Sequence, residues 1–262
     1  MFSGHPERII NLVMACAFFF VLLQAIKLLH SKKHFLTIVF FVFAISCGLL
    51  STLYWGVYEF LRPETRMPFA ANELCEWALF LLYASSLRAV FPKSASFEKK
   101  IIPVALFAAA NVVLWIAWSG EWVQDILTGL SMGWFLCVIT SCLCLTCALS
   151  TAEWVGAGTV SFLLILGQSL TFFTPEPVSG ALDKGCSTLL LVAMLWLILK
   201  TVWTLKKEKQ VQKGLSLSYA AFAWGAVFMY MSGGTAYMIA SMLTVSCYFL
   251  MLWAIKEEVA EG

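Results

Sequence analysis

The chain has 262 residues, 61% of them apolar and only 12% charged, against about 45–50% and about 25% in soluble domains. A mean hydropathy of +0.87 would force a water-soluble fold to expose more apolar surface than water tolerates, and disorder needs the opposite composition. The net charge of +2 gives no basis for nucleic-acid binding; the composition fits a bilayer, and the expected organisation is one integral membrane domain over 1–262 with no soluble domain.

A spanning helix needs about 20 mostly apolar residues. Apolar runs fall at 9–29, 35–58, 70–91, 101–119, 124–149, 154–173, 184–205, 215–232 and 235–255. The expected fold class is therefore all-α, a polytopic transmembrane helical bundle of about nine spans, with eight or seven if a middle run is re-entrant. The first run begins after Arg8, as a signal peptide does. It continues through Gln24–Leu29 without a small-residue cleavage site, so it reads as a retained span. The last two runs are separated by Ser232-Gly233-Gly234, a turn signal.

Lysine and arginine test this alternation, because cytoplasmic loops carry an excess of them. With the N-terminus outside and the C-terminus cytoplasmic, thirteen fall inside: Lys27, Lys32, Lys33, Arg88, Lys93, Lys99, Lys100, Lys200, Lys206, Lys207, Lys209, Lys213 and Lys256. Four fall outside: Arg8, Arg62, Arg66 and Lys184. Nine of the fifteen acids lie outside, so the small net charge conceals +7 inside and −5 outside. The connection around Glu153 is assigned inside yet carries no positive charge. Trp55, Trp115, Trp118 and Trp122 lie near outer ends, and Trp154, Trp203 and Trp253 near inner ones, at the depth amphipathic rings favour. Trp77, Trp134, Trp196 and Trp224 fall deeper, as packing residues would.

The most informative segment joins the second and third spans. It carries Tyr54, Tyr58, Glu59, Arg62, Glu64, Arg66, Asn72, Glu73, Glu76 and Trp77, with Pro63 and Pro68 bracketing the loop. Asn72, Glu73 and Glu76 share one helical face, and carboxylates are favoured near a helix N-terminus. Arg62 and Arg66 are close enough to neutralise them. Two readings follow: a salt-bridged cap, or a polar outer-leaflet ligand site of Glu59, Arg62, Arg66, Asn72, Glu73 and Glu76 walled by Tyr54, Tyr58 and Trp77. Ionisable groups within a span are functional candidates, and Glu76 is the best single one.

Tyr54–Trp55, Pro68, Ala71-Asn72 and Leu82-Tyr83 also carry a resemblance. A span ending in Trp/Tyr, a proline-containing loop and a Pro-x-x-Ala-(Asp/Asn)-like helix start resembles bacterial multi-pass membrane sensor modules that precede diguanylate cyclase or histidine kinase domains. The chain has Phe69-Ala70-Ala71-Asn72 where the usual pattern has Ser-Leu-Ala-Asp, so the acid of that pattern is displaced or lost. The resemblance covers about 35 of the 262 residues and implies sensing through a bacterial cytoplasmic membrane. The charged end Ala254–Glu261 agrees with it, since receptor spans run into such signalling helices; an ordinary charged stop after a span has the same composition.

Other features are more modest. Cys142-x-Cys144-x-x-Cys147 has no histidine or carboxylate beside it and reads as packing, with no metal expected. His5, His30 and His34 lie at or near loops, so no haem is expected, nor any other cofactor. Gly129-x-x-x-Gly133 and Gly156-x-Gly158 predict close helix contacts, the first either within the bundle or at a homodimer seam. Asn111 and Gln168 are mid-span amides suited to interhelical hydrogen bonds or to lining a cavity. Lys206–Lys213 suits anionic headgroups. Motifs for metallohydrolase, nucleotide or dinucleotide chemistry are missing, and no nucleophile accompanies the acids. The expected function is a ligand-sensing or signal-relaying membrane module acting with a separate cytoplasmic partner or another membrane subunit. The alternatives are a small-solute transporter or transporter subunit, with Asn111, Gln168 and Glu76 lining one path, and, further off, a lipid-modifying enzyme.

Overall fold

The computed structural model describes residues 6–31, 33–61, 71–92, 101–120 and 122–261. Among them the chain forms nine α-helices and no strand: α1 Pro6–Leu28, α2 Phe35–Leu61, α3 Ala71–Val90, α4 Ile101–Ser119, α5 Trp122–Leu145, α6 Thr151–Thr171, α7 Val178–Trp203, α8 Val211–Tyr230 and α9 Gly234–Glu261. A bilayer interior leaves a backbone only its own partners for hydrogen bonding, which is why each apolar run closes into a helix. Gly234 sits at φ +54 between α8 and α9, a left-handed conformation that favours glycine.

Seven helices are long and apolar enough to cross a membrane: α1, α2, α4, α5, α6, α7 and α9. The other two, α3 and α8, carry more polar residues, and α8 lies well inside the bundle. Fourteen of the twenty residues of α8 are buried, whereas α4 and α6 bury only two each and present long apolar faces outward. Their outward faces hold Leu106, Val113, Phe162 and Leu163, side chains that lipid tails can solvate.

The helices pack in a closed circuit, α1–α2–α3–α5–α4–α6–α7–α8–α9 and back to α1, with α5 also touching α8. Aromatic rings fill the centre. Tyr83 of α3 meets Phe222 (4.9 Å between centroids) and Tyr219 (5.7 Å) of α8, Phe41 of α2 (5.9 Å) and Phe135 of α5 (6.1 Å). Tyr248 of α9 bridges this nest to Phe18 of α1 at 4.3 Å.

Several pairings gather at one end of the bundle. His34 at the start of α2 lies 3.8 Å from Glu258 of α9, Lys256 of α9 donates to Gln24 of α1 at 3.4 Å, and Ser86 of α3 meets Tyr219 of α8 at 2.9 Å. Glu153 is not a loose acid here. It completes a capping box with Ser150 at the start of α6 and accepts from Lys200 Nζ on α7. Lys27, Lys33, Arg88, Lys200, Lys206–Lys213 and Lys256 thus share one end.

Three expectations change. Trp134 and Trp196 are not core packing residues: each is more than 40% exposed, with Arg88 5.6 Å from the Trp134 ring and Lys200 5.2 Å from that of Trp196. Both lie on the bundle surface, where a cation can cover the ring face. Gly156 and Gly158 make no close helix contact, since a Cβ at either would meet nothing within 4 Å. Gly129 is committed inside the chain: its Cβ would lie 1.9 Å from Val112 Cγ2, and that of Gly133 3.2 Å from Ala108 Cβ.

The contrast between these glycines predicts opposite signs. Gly129→Ala is expected to push α4 from α5, because Val112 is a β-branched residue held at one rotamer, and to cost about 1–3 kcal/mol. Gly156→Ala, in open space on α6, is expected to stabilise by up to about 1 kcal/mol through helix propensity. Thermal unfolding of the two variants in the same detergent checks both signs.

Candidate functional site

The first two turns of α3 carry Asn72, Glu73 and Glu76 on one face, which turns toward α2, α5 and α8. Asn72 and Glu73 are buried and Glu76 is half-buried. The three are not equivalent. Glu76 sits where three helices meet: Ser51 Oγ of α2 donates to Oε1 at 3.0 Å, and Tyr230 OH, on the last residue of α8, donates to Oε2 at 2.7 Å. The Tyr230 ring packs on Trp115 of α4, 5.4 Å between centroids.

One turn earlier the Asn72 amide satisfies both of its groups in a single orientation. Its NH2 donates to Glu73 Oε2 at 2.9 Å and its carbonyl accepts from Trp55 Nε1 of α2 at 3.3 Å. Trp77 lies beside Glu76 and reaches the other way, donating from Nε1 to Thr128 Oγ1 of α5 at 2.8 Å. The polar cluster is thus a set of interhelical hydrogen bonds linking α2, α3, α5 and α8.

The sequence-predicted residues divide accordingly. Asn72, Glu73, Glu76 and Trp77 come together. Arg62 and Arg66 lie outside the described residues, as do the side chains of Tyr58 and Glu59. Ser51, Thr128 and Tyr230 complete the cluster, although no motif marked them. Tyr230 had one usable signal, its place two residues before the Ser232-Gly233-Gly234 turn, which puts it at the same end of the bundle as the start of α3.

Asn111 and Gln168 are not part of this cluster. Asn111 donates to the Phe107 carbonyl of its own helix at 2.8 Å, so this bond is not interhelical. It lines a cavity between α4, α5 and α8 with Trp115, Gly129, Met132 and Val227, and neither Glu76 nor Gln168 belongs to the wall. Asn111 Oδ1, Trp115 Nε1 and Gln168 Nε2 are buried without a hydrogen-bond partner.

Chemically, the cluster offers a carboxylate accepting hydrogen bonds from two hydroxyls and a second carboxylate held by an amide. Among the described residues no three histidine, cysteine, aspartate or glutamate side chains are placed to hold a metal ion. Cys142 is buried and Cys147 exposed, so these two do not converge on one face. No family model, curated protein or solved structure matches the chain. The protein's apolar helices are those of an integral membrane protein.

Proposed function

We propose that the protein is a nine-span membrane module, N-terminus outside and C-terminus cytoplasmic, that relays an event at its outer polar cluster along α8 to its inner face. The observation that carries this reading is the Glu76–Tyr230 hydrogen bond. It ties the helix start bearing the ionisable cluster to the end of the most buried helix, and α8 then runs through the core to the lysine-rich end. A ligand that engages Glu73 or Glu76 differently in two packings of α3 on α8 would shift their populations. The resemblance of Tyr54–Trp55, Pro68 and Ala71-Asn72 to multi-pass sensor modules supports the same direction. A separate cytoplasmic partner reading the inner face completes the proposal.

Transport has less support, because the cavity holding Asn111 excludes both Glu76 and Gln168 from its wall. The relay is tested by hydrogen–deuterium exchange of the full chain in nanodiscs. Glu76→Gln, at the outer end, is expected to raise deuterium uptake in the peptide spanning 204–214 at the far end of α8 by at least about twofold, an opening-energy change of about 0.4 kcal/mol. Uptake in 204–214 unchanged from the unsubstituted protein, while peptides around residue 76 respond, would overturn the relay.

A further inference from the structure

Of the nineteen residues of α4 only Asn111 and Trp115 are buried, at 2% and 8% exposed. They lie one turn apart, so their side chains share one face of the helix. Each carries a polar atom with no hydrogen-bond partner among the described residues: the Asn111 Oδ1 acceptor and the Trp115 Nε1 donor. Such atoms cost free energy wherever they are buried unpaired. The rest of α4 is apolar enough for lipid, and a helix that only had to pack on α5 would bury apolar side chains at these two places.

Both residues line the cavity between α4, α5 and α8, whose other walls are apolar (Phe107, Ala108, Met132, Leu136 and Val227) or glycine (Gly129 and Gly133). The Asn111 amide is fixed by its Nδ2, which donates to the Phe107 carbonyl at 2.8 Å and leaves Oδ1 as the free acceptor. The Trp115 ring is fixed against Tyr230, 5.4 Å between centroids. A donor and an acceptor therefore line one space without bonding each other. That space measures about 10 Å³, the size of one water molecule. The close approach of α5 at Gly129, where a Cβ would collide with Val112, holds it to that size. A hydroxyl is the smallest group that accepts from an indole N–H and donates to an amide oxygen at once.

We propose that this cavity is a binding site for a single hydroxyl group, which accepts from Trp115 Nε1 and donates to Asn111 Oδ1. The hydroxyl belongs either to a water molecule or to a long-chain alcohol dissolved in the bilayer, because α4 fronts lipid through Leu106 and Val113. The site stands whether or not the outer cluster senses a ligand.

The test uses the full chain, isotopically labelled, in phosphatidylcholine bilayers and reads tryptophan indole N–H signals by proton-detected solid-state NMR. The Trp115 signal is assigned through its own Cβ and confirmed by its loss in Trp115→Phe, which keeps a ring against Tyr230. Magnetisation transfer from water to this signal is measured first. Decanol is then titrated in, with decane as the control of equal chain length. Transfer that Asn111→Leu slows at least about threefold, and that decanol leaves unchanged, supports a bound water. A saturable shift of the signal with decanol but not decane, weakened about tenfold by Asn111→Leu, supports a membrane-borne alcohol. Asn111→Met supplies a more adaptable side chain if the leucine variant does not fold. In the unsubstituted protein, absence of both the water transfer and the decanol shift overturns the proposal. Transfer or a shift that the Asn111 variants leave intact overturns it as well, because Oδ1 would then hold nothing.

Discussion

Replacing Glu76 by leucine is expected to cost about 2–3 kcal/mol of stability, and Tyr230→Phe about 1–2 kcal/mol. The two hydroxyls that lose their acceptor do not suffer equally. Ser51 sits in the body of α2 and can turn its hydroxyl onto a carbonyl one turn back, as Thr52 already does to Gly48 at 2.9 Å. Tyr230 has no such refuge, because its rigid ring carries the hydroxyl away from its own backbone. Hydrogen bonds between membrane helices average only about 0.6 kcal/mol, with a maximum near 1.7. The Tyr230 bond should approach that maximum, at 2.7 Å to a carboxylate. Ser51→Ala is then expected to cost under about 0.5 kcal/mol. The decisive measurement is a double-mutant cycle by reversible unfolding in mixed micelles. A coupling of about 1.5 kcal/mol between Glu76→Leu and Tyr230→Phe is expected; additivity within about 0.3 kcal/mol would mean that this bond does not hold α3 to α8.

The sequence carries the helices well and the cluster in part, for a physical reason in each case. Every apolar run became a helix because hydrocarbon leaves the backbone no other way to satisfy itself. The Ser232-Gly233-Gly234 turn falls at the junction of α8 and α9. Lysine placement followed the alternation closely enough to gather Lys27, Lys200 and Lys256 at one end. Asn72, Glu73 and Glu76 were legible as a face because their spacing of one turn is local. Their partners were not, because Ser51, Thr128 and Tyr230 lie 25 to 154 positions away from the residues they bond, and nothing in an isolated serine or tyrosine announces a distant carboxylate. The enclosed position of α8 was also hidden. Its run reads like the others in the sequence, and nothing in it says that neighbours bury fourteen of its twenty residues. The same blindness misplaced Trp134 and Trp196, since depth along a helix is visible in sequence and the direction a side chain faces is visible only where the pattern is amphipathic. In a helix that is apolar all round, it is not.

The same one-atom change at two touching tyrosines is expected to act in opposite directions. Tyr83 and Tyr219 are fully buried, with ring centroids 5.7 Å apart. Tyr219 OH meets Ser86 Oγ at 2.9 Å, and Ser86 in turn donates to the Thr37 carbonyl at 2.9 Å. Tyr83 OH is buried without a partner. Tyr219→Phe therefore removes a made bond, at about 0.6–1.5 kcal/mol. Tyr83→Phe removes a hydroxyl that stabilises nothing, and is expected to be neutral or stabilising by up to about 1 kcal/mol. Truncation at Tyr83 is another matter. Between membrane helices lipid tails are as apolar as the core, so the transfer contribution that punishes such changes in soluble proteins is largely missing. The cavity contribution survives: about 24 cal/mol per Å³ over roughly 100 Å³ of lost ring leaves about 2–3 kcal/mol for Tyr83→Ala, added to four lost ring contacts. Unfolding of Tyr83→Phe, Tyr83→Ala and Tyr219→Phe in one lipid system separates these contributions. If Tyr83→Phe proves as damaging as Tyr219→Phe, the Tyr83 hydroxyl has a partner in the folded protein, and the central nest is polar where the structure makes it dry.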